Sequence, residues 1–183
     1  MNLKHAVAGM ALLLGAAAAQ ADTYSYTGDT TGGPVVHRPI TRTRLSDVGT
    51  AVPYHALQFS VDLSGLYSLN SVSYTADFDN YTALYHDSFN PQDPLANLIL
   101  TNDDYKRIPY VSGFDLNLVA GTPYVFLNLG FENSDVGQFE ATISGAGQIL
   151  VGTLPVPEPD SWLMLAGGLG VLAMLRKRHA ANG

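Results

Sequence analysis

Two turns of this 183-residue chain gather oxygen ligands: Asp77 and Asp79 follow one apolar run, and Asn102, Asp103 and Asp104 follow another. Carboxylate and amide oxygens are hard donors, and calcium takes about six to eight of them at once. The two turns laid side by side would therefore make a calcium site from Asp77, Asp79, Asp103 and Asp104. The same residue types are those a chain uses to reverse direction, because their side chains bond to nearby backbone N–H groups and tolerate left-handed backbone. The turn reading is preferred here. It predicts no bound cofactor and no dependence on calcium.

The other reactive residues do not assemble into a catalytic pattern. There is no cysteine, so no thiol nucleophile and no thiolate metal site. His37, His55 and His86 are scattered, without the His-x-His or His-Glu-x-x-His spacing of a metal site, and no Gly-x-Ser-x-Gly elbow or phosphate-binding glycine loop occurs. A glycosidase needs two facing carboxylic acids, and the body of the chain offers Glu132 and Glu140. Glu132 falls in a turn and Glu140 at an outward position of a strand, so no enzyme is expected. Six tyrosines, Tyr74, Tyr81, Tyr85, Tyr105, Tyr110 and Tyr124, supply flat rings of the kind that stack on sugars, but tyrosine is also favoured in strands and cores, and that reading is preferred. Arg38, Arg42 and Arg44 would either bind an anionic polysaccharide or balance an acidic body, the second being preferred.

These residues must be held by strands. Leu57, Phe59, Val61 and Leu63 alternate with Gln58, Ser60 and Asp62, which predicts a half-buried strand, and Ser64-Gly65 turns the chain into a second run from Leu66 to Ala76. Tyr81–His86 and Ala96–Thr101 read as short strands on either side of a loop stiffened by Pro91 and Pro94. Phe114, Leu116, Leu118 and Ala120 predict another. Gly121-Thr122-Pro123 then turns into Tyr124–Phe131, apolar on both faces and so expected between two neighbours. Phe139, Ala141 and Ile143 point inward on the last strand, with Gln138, Glu140 and Thr142 outward. These three strands are expected to form an antiparallel meander. Residues 22–53, rich in Thr, Gly and Pro, read as an edge strand near Thr23–Tyr26 followed by an irregular excursion, and Gly145-Ala146-Gly147 with Gly152-Thr153 as a flexible exit. No stretch of the body keeps a helical period for three turns, so the expected fold is an all-β antiparallel β-sandwich.

Both ends of the chain carry targeting patterns. Lys4 and His5, the apolar run Ala6–Ala19 and the small-x-small site Ala19-Gln20-Ala21 are the parts of a secretory signal peptide, with cleavage expected after Ala21. At the other end stand Pro157-Glu158-Pro159, an apolar run from Trp162 to Leu175, and Arg176-Lys177-Arg178. The two prolines hold Glu158 in an extended clip, and a helix of residues 161–175 at ~1.5 Å per residue reaches roughly 22 Å, short of the ~30 Å hydrocarbon core. The basic cluster would stay cytoplasmic. Between the ends, five Arg and Lys face fourteen Asp and Glu over residues 22–156, a net charge of −9. That balance argues against nucleic acid as a partner.

The tail, with Pro157, Glu158, Pro159, Arg176, Lys177 and Arg178 in order, resembles the PEP-CTERM sorting signal of proteins handled by exosortase in exopolysaccharide-producing Gram-negative bacteria. The resemblance implies an exosortase-like processing enzyme as partner, transient residence in the inner membrane, and delivery to the cell envelope or exopolysaccharide matrix. The alternative is an ordinary single-pass anchor with a Pro-rich neck. The body from Leu57 to Gly145 has its own likeness, carried by Ala83-Leu84-Tyr85, Ser88-Phe89-Asn90-Pro91, Pro94-Leu95, Asn102-Asp103-Asp104, Ala120-Gly121-Thr122-Pro123-Tyr124 and Gly137-Gln138-Phe139-Glu140-Ala141-Thr142-Ile143-Ser144-Gly145. It resembles the bacterial pre-peptidase C-terminal type of jelly-roll domain, which implies a β-sandwich accessory module without catalysis. Tyr105-Lys106-Arg107-Ile108-Pro109 departs from that pattern where an ion site would continue. The expected organisation is a signal peptide (1–21), an exported jelly-roll-like sandwich (22–154) and a sorting tail with a short transmembrane helix (155–183). The expected role is that of an exported non-enzymatic protein, with a carbohydrate-binding or adhesion module as the alternative and a hydrolase as the weaker one.

Overall fold

Period-two patterning predicts strands, and the computed structural model, which describes residues 21–152, is built from twelve of them. They are β1 (Asp22–Asp29), β2 (Val35–Val36), β3 (Pro39–Thr41), β4 (Arg44–Leu45), β5 (Val52–Val61), β6 (Gly65–Ser73), β7 (Asn80–His86), β8 (Leu98–Asn102), β9 (Val111–Leu118), β10 (Tyr124–Gly130), β11 (Gln138–Gly145) and β12 (Ile149–Val151). Among the described residues the sole helical element is a 3₁₀ turn at Tyr105–Arg107, and no helix is long and apolar enough to cross a membrane. The expected signal peptide up to Gln20 and the tail from Thr153, with its sorting residues, lie outside the described residues.

The strands form two antiparallel sheets. The smaller runs β1-β11-β6-β9, and the larger runs β12-β5-β10-β7-β8, with β2 pairing the start of β5 and β3–β4 standing apart as a small hairpin. Leaving out β2–β4 and β12, two four-stranded sheets remain, whose interleaved strand order is that of a jelly-roll sandwich. Phe59, Tyr67, Leu69, Phe114, Phe126, Phe139 and Ile143 meet between the sheets. Burying each such side chain contributes about 1.5–3 kcal/mol.

A second apolar cluster lies on the far side of the larger sheet, where Val36, Tyr81, Tyr85, Val125, Leu127 and Leu129 pack with Phe89 and Phe131. Residues contributed by β2, by the 87–97 loop and by the β10–β11 turn cover that face. This explains why every residue of β10 is buried, as its two-sided apolar sequence requires. Among the described residues no such apolar cluster covers the outer face of the smaller sheet, where the Tyr105 hydroxyl reaches Ser68 and Asp115 at the β9 side.

Four expectations need correction. The meander is not formed: β9 pairs with β6 over Val111–Leu118, while β10 lies between β5 and β7 in the other sheet. The Gly121-Thr122-Pro123 turn therefore carries the chain across the sandwich, since both β9 and β10 bury a face in the same core and can do so from opposite sides. Leu63 is 42% exposed and Ala120 is also exposed, because β5 ends at Val61 and β9 at Leu118 and both residues lie in turns beyond the ladder. The excursion after β1 contains three short strands rather than irregular chain alone. The supposed flexible exit is instead a strand, β12, which pairs with Val61, Ser60 and Phe59 of β5, and Gly145 ahead of it is a close-packing residue whose missing Cβ makes room for the Tyr67 ring.

Candidate functional site

The two acidic turns do come together, but only in part. Asp103 follows β8 and Asp79 precedes β7, and these strands are neighbours that pair Thr82 with Asn102. Burial, followed by the charges of Asp79 and Asp104, pushes the Asp103 carboxyl up to about 6, and its Oδ1 is buried with no hydrogen-bond partner. Asp79 is raised too, by burial first and then by Asp135 and Asp104. Asp77 takes no part in this group: it is exposed on the other side of Phe78, in left-handed backbone at φ 61°. Among the described residues no three His, Cys, Asp or Glu side chains are placed to hold a metal ion.

Beside Asp103 lies an open cleft of about 460 Å³, lined by Arg38, Ile40, Tyr81, Thr101, Asn102, Asp103 and Phe131. Arg38 is the unexpected member. It is 2% exposed, its guanidinium carbon sits 4.4 Å from the Tyr81 ring centre and 4.3 Å from that of Phe131, and its Nη2 donates to Ser46 Oγ at 2.9 Å. Two ring faces stabilise the cation by roughly 0.5–2 kcal/mol each in such desolvated settings. The positive charge also opposes the rise of the Asp79 and Asp103 carboxyls. Arg42 donates from Nε to the Ile99 carbonyl at 2.8 Å, tying the β3–β4 hairpin to β8, and Arg44 is exposed opposite Asp47 at 3.6 Å. The three arginines therefore form no basic patch. Sequence reading also missed Asp135, which looked like a residue of the turn before β11.

The tyrosines divide sharply. Tyr81, Tyr85 and Tyr124 are buried in the two cores. The Tyr105 hydroxyl donates to Asp115 Oδ1 at 2.8 Å and lies 3.2 Å from Ser68 Oγ, two residues that face each other across β6 and β9, so it sits over the β9 side of the smaller sheet's outer face. Tyr74 and Tyr110 are exposed, at 62% and 50%. Both line one open cleft of about 360 Å³ with Ser73, Thr75, Ala76 and Asp77, and Tyr74 also borders a second of about 440 Å³ with Thr27, Gly28, Asp29, Gln138 and Phe139. The Tyr74 hydroxyl donates to Glu140 Oε2 at 2.5 Å while its backbone N–H donates to the Gln138 carbonyl at 2.9 Å. Tyr110 holds φ 62°, a left-handed backbone that costs a bulky residue about 1–2 kcal/mol.

The glutamates and histidines of the body are spread over separate places. Glu140 is engaged by Tyr74, and the Glu132 N–H is taken by Asp135 Oδ2 at 2.7 Å in the β10–β11 turn. His55 lies in the sandwich interior against Tyr26 and Phe139, where burial lowers its pKa. His86 is at the end of β7, paired with Asp87 at 2.8 Å.

Outside the folded body, residues 155–178 match the sequence pattern of the PEP-CTERM protein-sorting motif. The chain carries a PEP-CTERM sorting motif. Pro157, Glu158, Pro159, Arg176, Lys177 and Arg178 all fall within the matched stretch. No curated protein sequence matches the chain. Among solved structures, the fold is similar to the pre-peptidase C-terminal domain of collagenase from Bacillus anthracis, with 12% identity, a TM-score of 0.43, and coverage of 66% of this chain and 88% of that one. It is also similar to CBM35 from Cellvibrio japonicus Abf62, with 9% identity, a TM-score of 0.38, and coverage of 71% and 99%. A third likeness is to the K1 cleaved adhesin domain of Lys-gingipain from Porphyromonas gingivalis W83, with 15% identity, a TM-score of 0.37, and coverage of 70% and 99%. At these scores no activity or ligand passes from them to the PEP-CTERM-bearing chain, whose sandwich architecture stands on its own strand order.

Proposed function

We propose that this is an exported, non-enzymatic β-sandwich protein without a resident cofactor, which an exosortase-like enzyme processes at the inner membrane and releases to the cell envelope or exopolysaccharide matrix. The observation that carries the reading is the sorting-motif match at residues 155–178, directly after a body whose last strand ends at Val151. The short connection would hold the folded domain just outside the membrane, with the Pro157-Glu158-Pro159 clip between domain and bilayer. The signal-peptide pattern at the N-terminus supports export, and the acidic, cysteine-free body suits an exported domain that relies on its core. The hydrogen bond that the Glu140 carboxylate accepts from Tyr74, and the absence from the sequence of a cysteine or a Gly-x-Ser-x-Gly elbow, support a non-catalytic body.

The test compares masses of the wild type and Glu158→Ala from membrane, envelope and medium of a native host. Wild type should lose its tail in the envelope or medium, and Glu158→Ala should accumulate full-length in the inner membrane. A wild-type chain that keeps its tail through Gly183 in every fraction, with Glu158→Ala distributed identically, would mean the tail is a plain anchor.

A further inference from the structure

We propose that the outer face of the smaller sheet over β1, β11 and the adjoining part of β6, with the Tyr74 and Tyr110 rings at its end, is a binding surface for a neutral polysaccharide. The two sheets differ in a way that needs a reason: the outer face of the larger is closed by a second apolar cluster, while among the described residues no such cluster closes that of the smaller. Toward β1 its outward residues are mostly Ser, Thr and Asn, while Leu66 (63% exposed) lies at one end of β6 and Val72 and Val111 at the other, with Asp115 on β9 and Glu140 on β11. The register sets Ser25, Thr142 and Asn70 in one row across β1, β11 and β6, and Thr23 and Ser144 in the next, which ends at Ser68, where the Tyr105 hydroxyl lies 3.2 Å from Oγ. Neighbouring strands lie ~4.8 Å apart and successive outward residues on one strand ~6.7 Å apart, which places hydroxyl and amide groups on a flat grid at intervals of about one sugar ring. Ser25 Oγ and Thr142 Oγ1 already lie 2.9 Å from each other, so the face presents oriented hydroxyls.

At the end of this grid stands Tyr74, fixed at both the backbone and the hydroxyl by β11, with an open cleft on each side. A ring held in place loses little freedom when a ligand covers it, which favours its use as a stacking platform. Tyr110 lines one of the same clefts and is held there in left-handed backbone, a conformation that a bulky residue keeps only where its surroundings impose it. Charge selects among ligands. Asp29, Asp77 and Glu140 border the Tyr74 clefts or hold its ring, and the body carries fourteen acidic against five basic residues, so an anionic polymer is repelled. A protein partner would need an apolar core to its interface, and the outward apolar residues Leu66 at one end and Val72 and Val111 at the other are separated by the rows of Ser, Thr and Asn rather than joined into one. What remains is a chain of neutral rings, apolar on their faces and hydroxylated on their edges. This reading does not depend on the sorting tail and stands or falls separately from it.

The experiment is native affinity electrophoresis of the full-length protein in mild detergent, through gels containing dextran, xylan, galactomannan, glucomannan, soluble β-glucan or alginate. At least one neutral polymer should retard the protein, and alginate should not. Tyr74→Ala combined with Tyr110→Ala should weaken that retardation at least about tenfold, the loss expected for anchoring aromatics. Tyr74→Phe, which keeps the ring and loses only the bond to Glu140, should stay within about threefold of wild type. Thr142→Arg, which places a bulky side chain on the hydroxyl grid, should abolish retardation while Arg44→Ala leaves it unchanged. Circular dichroism checks that each variant remains folded. Absence of retardation by all five neutral polymers overturns the proposal, as does retention of alginate at least as strong, or a double tyrosine variant that binds like wild type. Undiminished binding by Thr142→Arg overturns the assignment to the sheet face.

Discussion

Replacing Asp103 by Asn should stabilise the protein at neutral pH and do almost nothing at pH 3.5. In the folded state burial and the charges of Asp79, Asp104 and Asp135 raise the Asp103 carboxyl from the ordinary 3.8 to about 6, with only Arg38 opposing. The native state therefore holds its proton to higher pH than the unfolded chain. Stability from this group is fully present below pH 3.8, falls as pH rises from about 4 to 6, and stays lost above that. The full shift corresponds to roughly 3 kcal/mol at 1.36 kcal/mol per unit. Asp103 is partly open to solvent, which screens its neighbours, so about 1–1.5 kcal/mol is the realistic effect. Asn keeps the shape and removes the charge, so its advantage over Asp should grow across the same window. Urea unfolding of both proteins at pH 3.5, 5 and 7.5 gives the three differences directly. At 1 M salt the part due to neighbouring carboxylates should shrink, since the Debye length falls to about 3 Å, and the burial part should persist. A difference independent of pH, or an Asn variant less stable at pH 7.5, would refute the argument.

Two further outcomes follow from the same region. Calcium at millimolar concentration should leave the melting temperature unchanged relative to EDTA, because Asp77 lies apart from Asp79, Asp103 and Asp104; a reversible rise removed by Asp103→Ala would overturn the turn reading, a site at hundredfold saturation adding about 2.7 kcal/mol. Arg38→Ala should cost about 3 kcal/mol or more in denaturant unfolding, through the loss of two ring contacts, the Ser46 bond and packed volume, and Arg38→Lys should recover less than half of it, since an ammonium cannot reproduce a planar group held between two rings. Equal stability of Arg38→Lys and wild type would show that only the charge matters there.

Strand identity in this protein is a local property, and so it could be read directly. Phe139, Ala141 and Ile143 face inward as their spacing requires, and the two-sided apolar run of β10 does lie between two neighbours. The PEP-CTERM tail is likewise a linear pattern, read from proline, apolar and basic residues in order. Which sheet each strand joins is not local. Gly121-Thr122-Pro123 is compatible with a hairpin and with a crossing between sheets, and only the pairing of β9 with β6 along its whole length decides for the crossing. The same holds for side chains beyond the ladder. Arg38 looks like one member of a basic patch, and only the approach of Tyr81 and Phe131, more than 40 residues away, makes it a buried cation. Asp79, Asp103, Asp104 and Asp135 become neighbours because β7 and β8 pair and the β10–β11 turn closes over them, while Asp77, two residues from Asp79, is turned away on the other side of the buried Phe78. Periodicity states which face of a strand is buried. What that face is buried against, and which charges and rings meet at the ends of the strands, is set by long-range pairing that the tertiary structure alone decides.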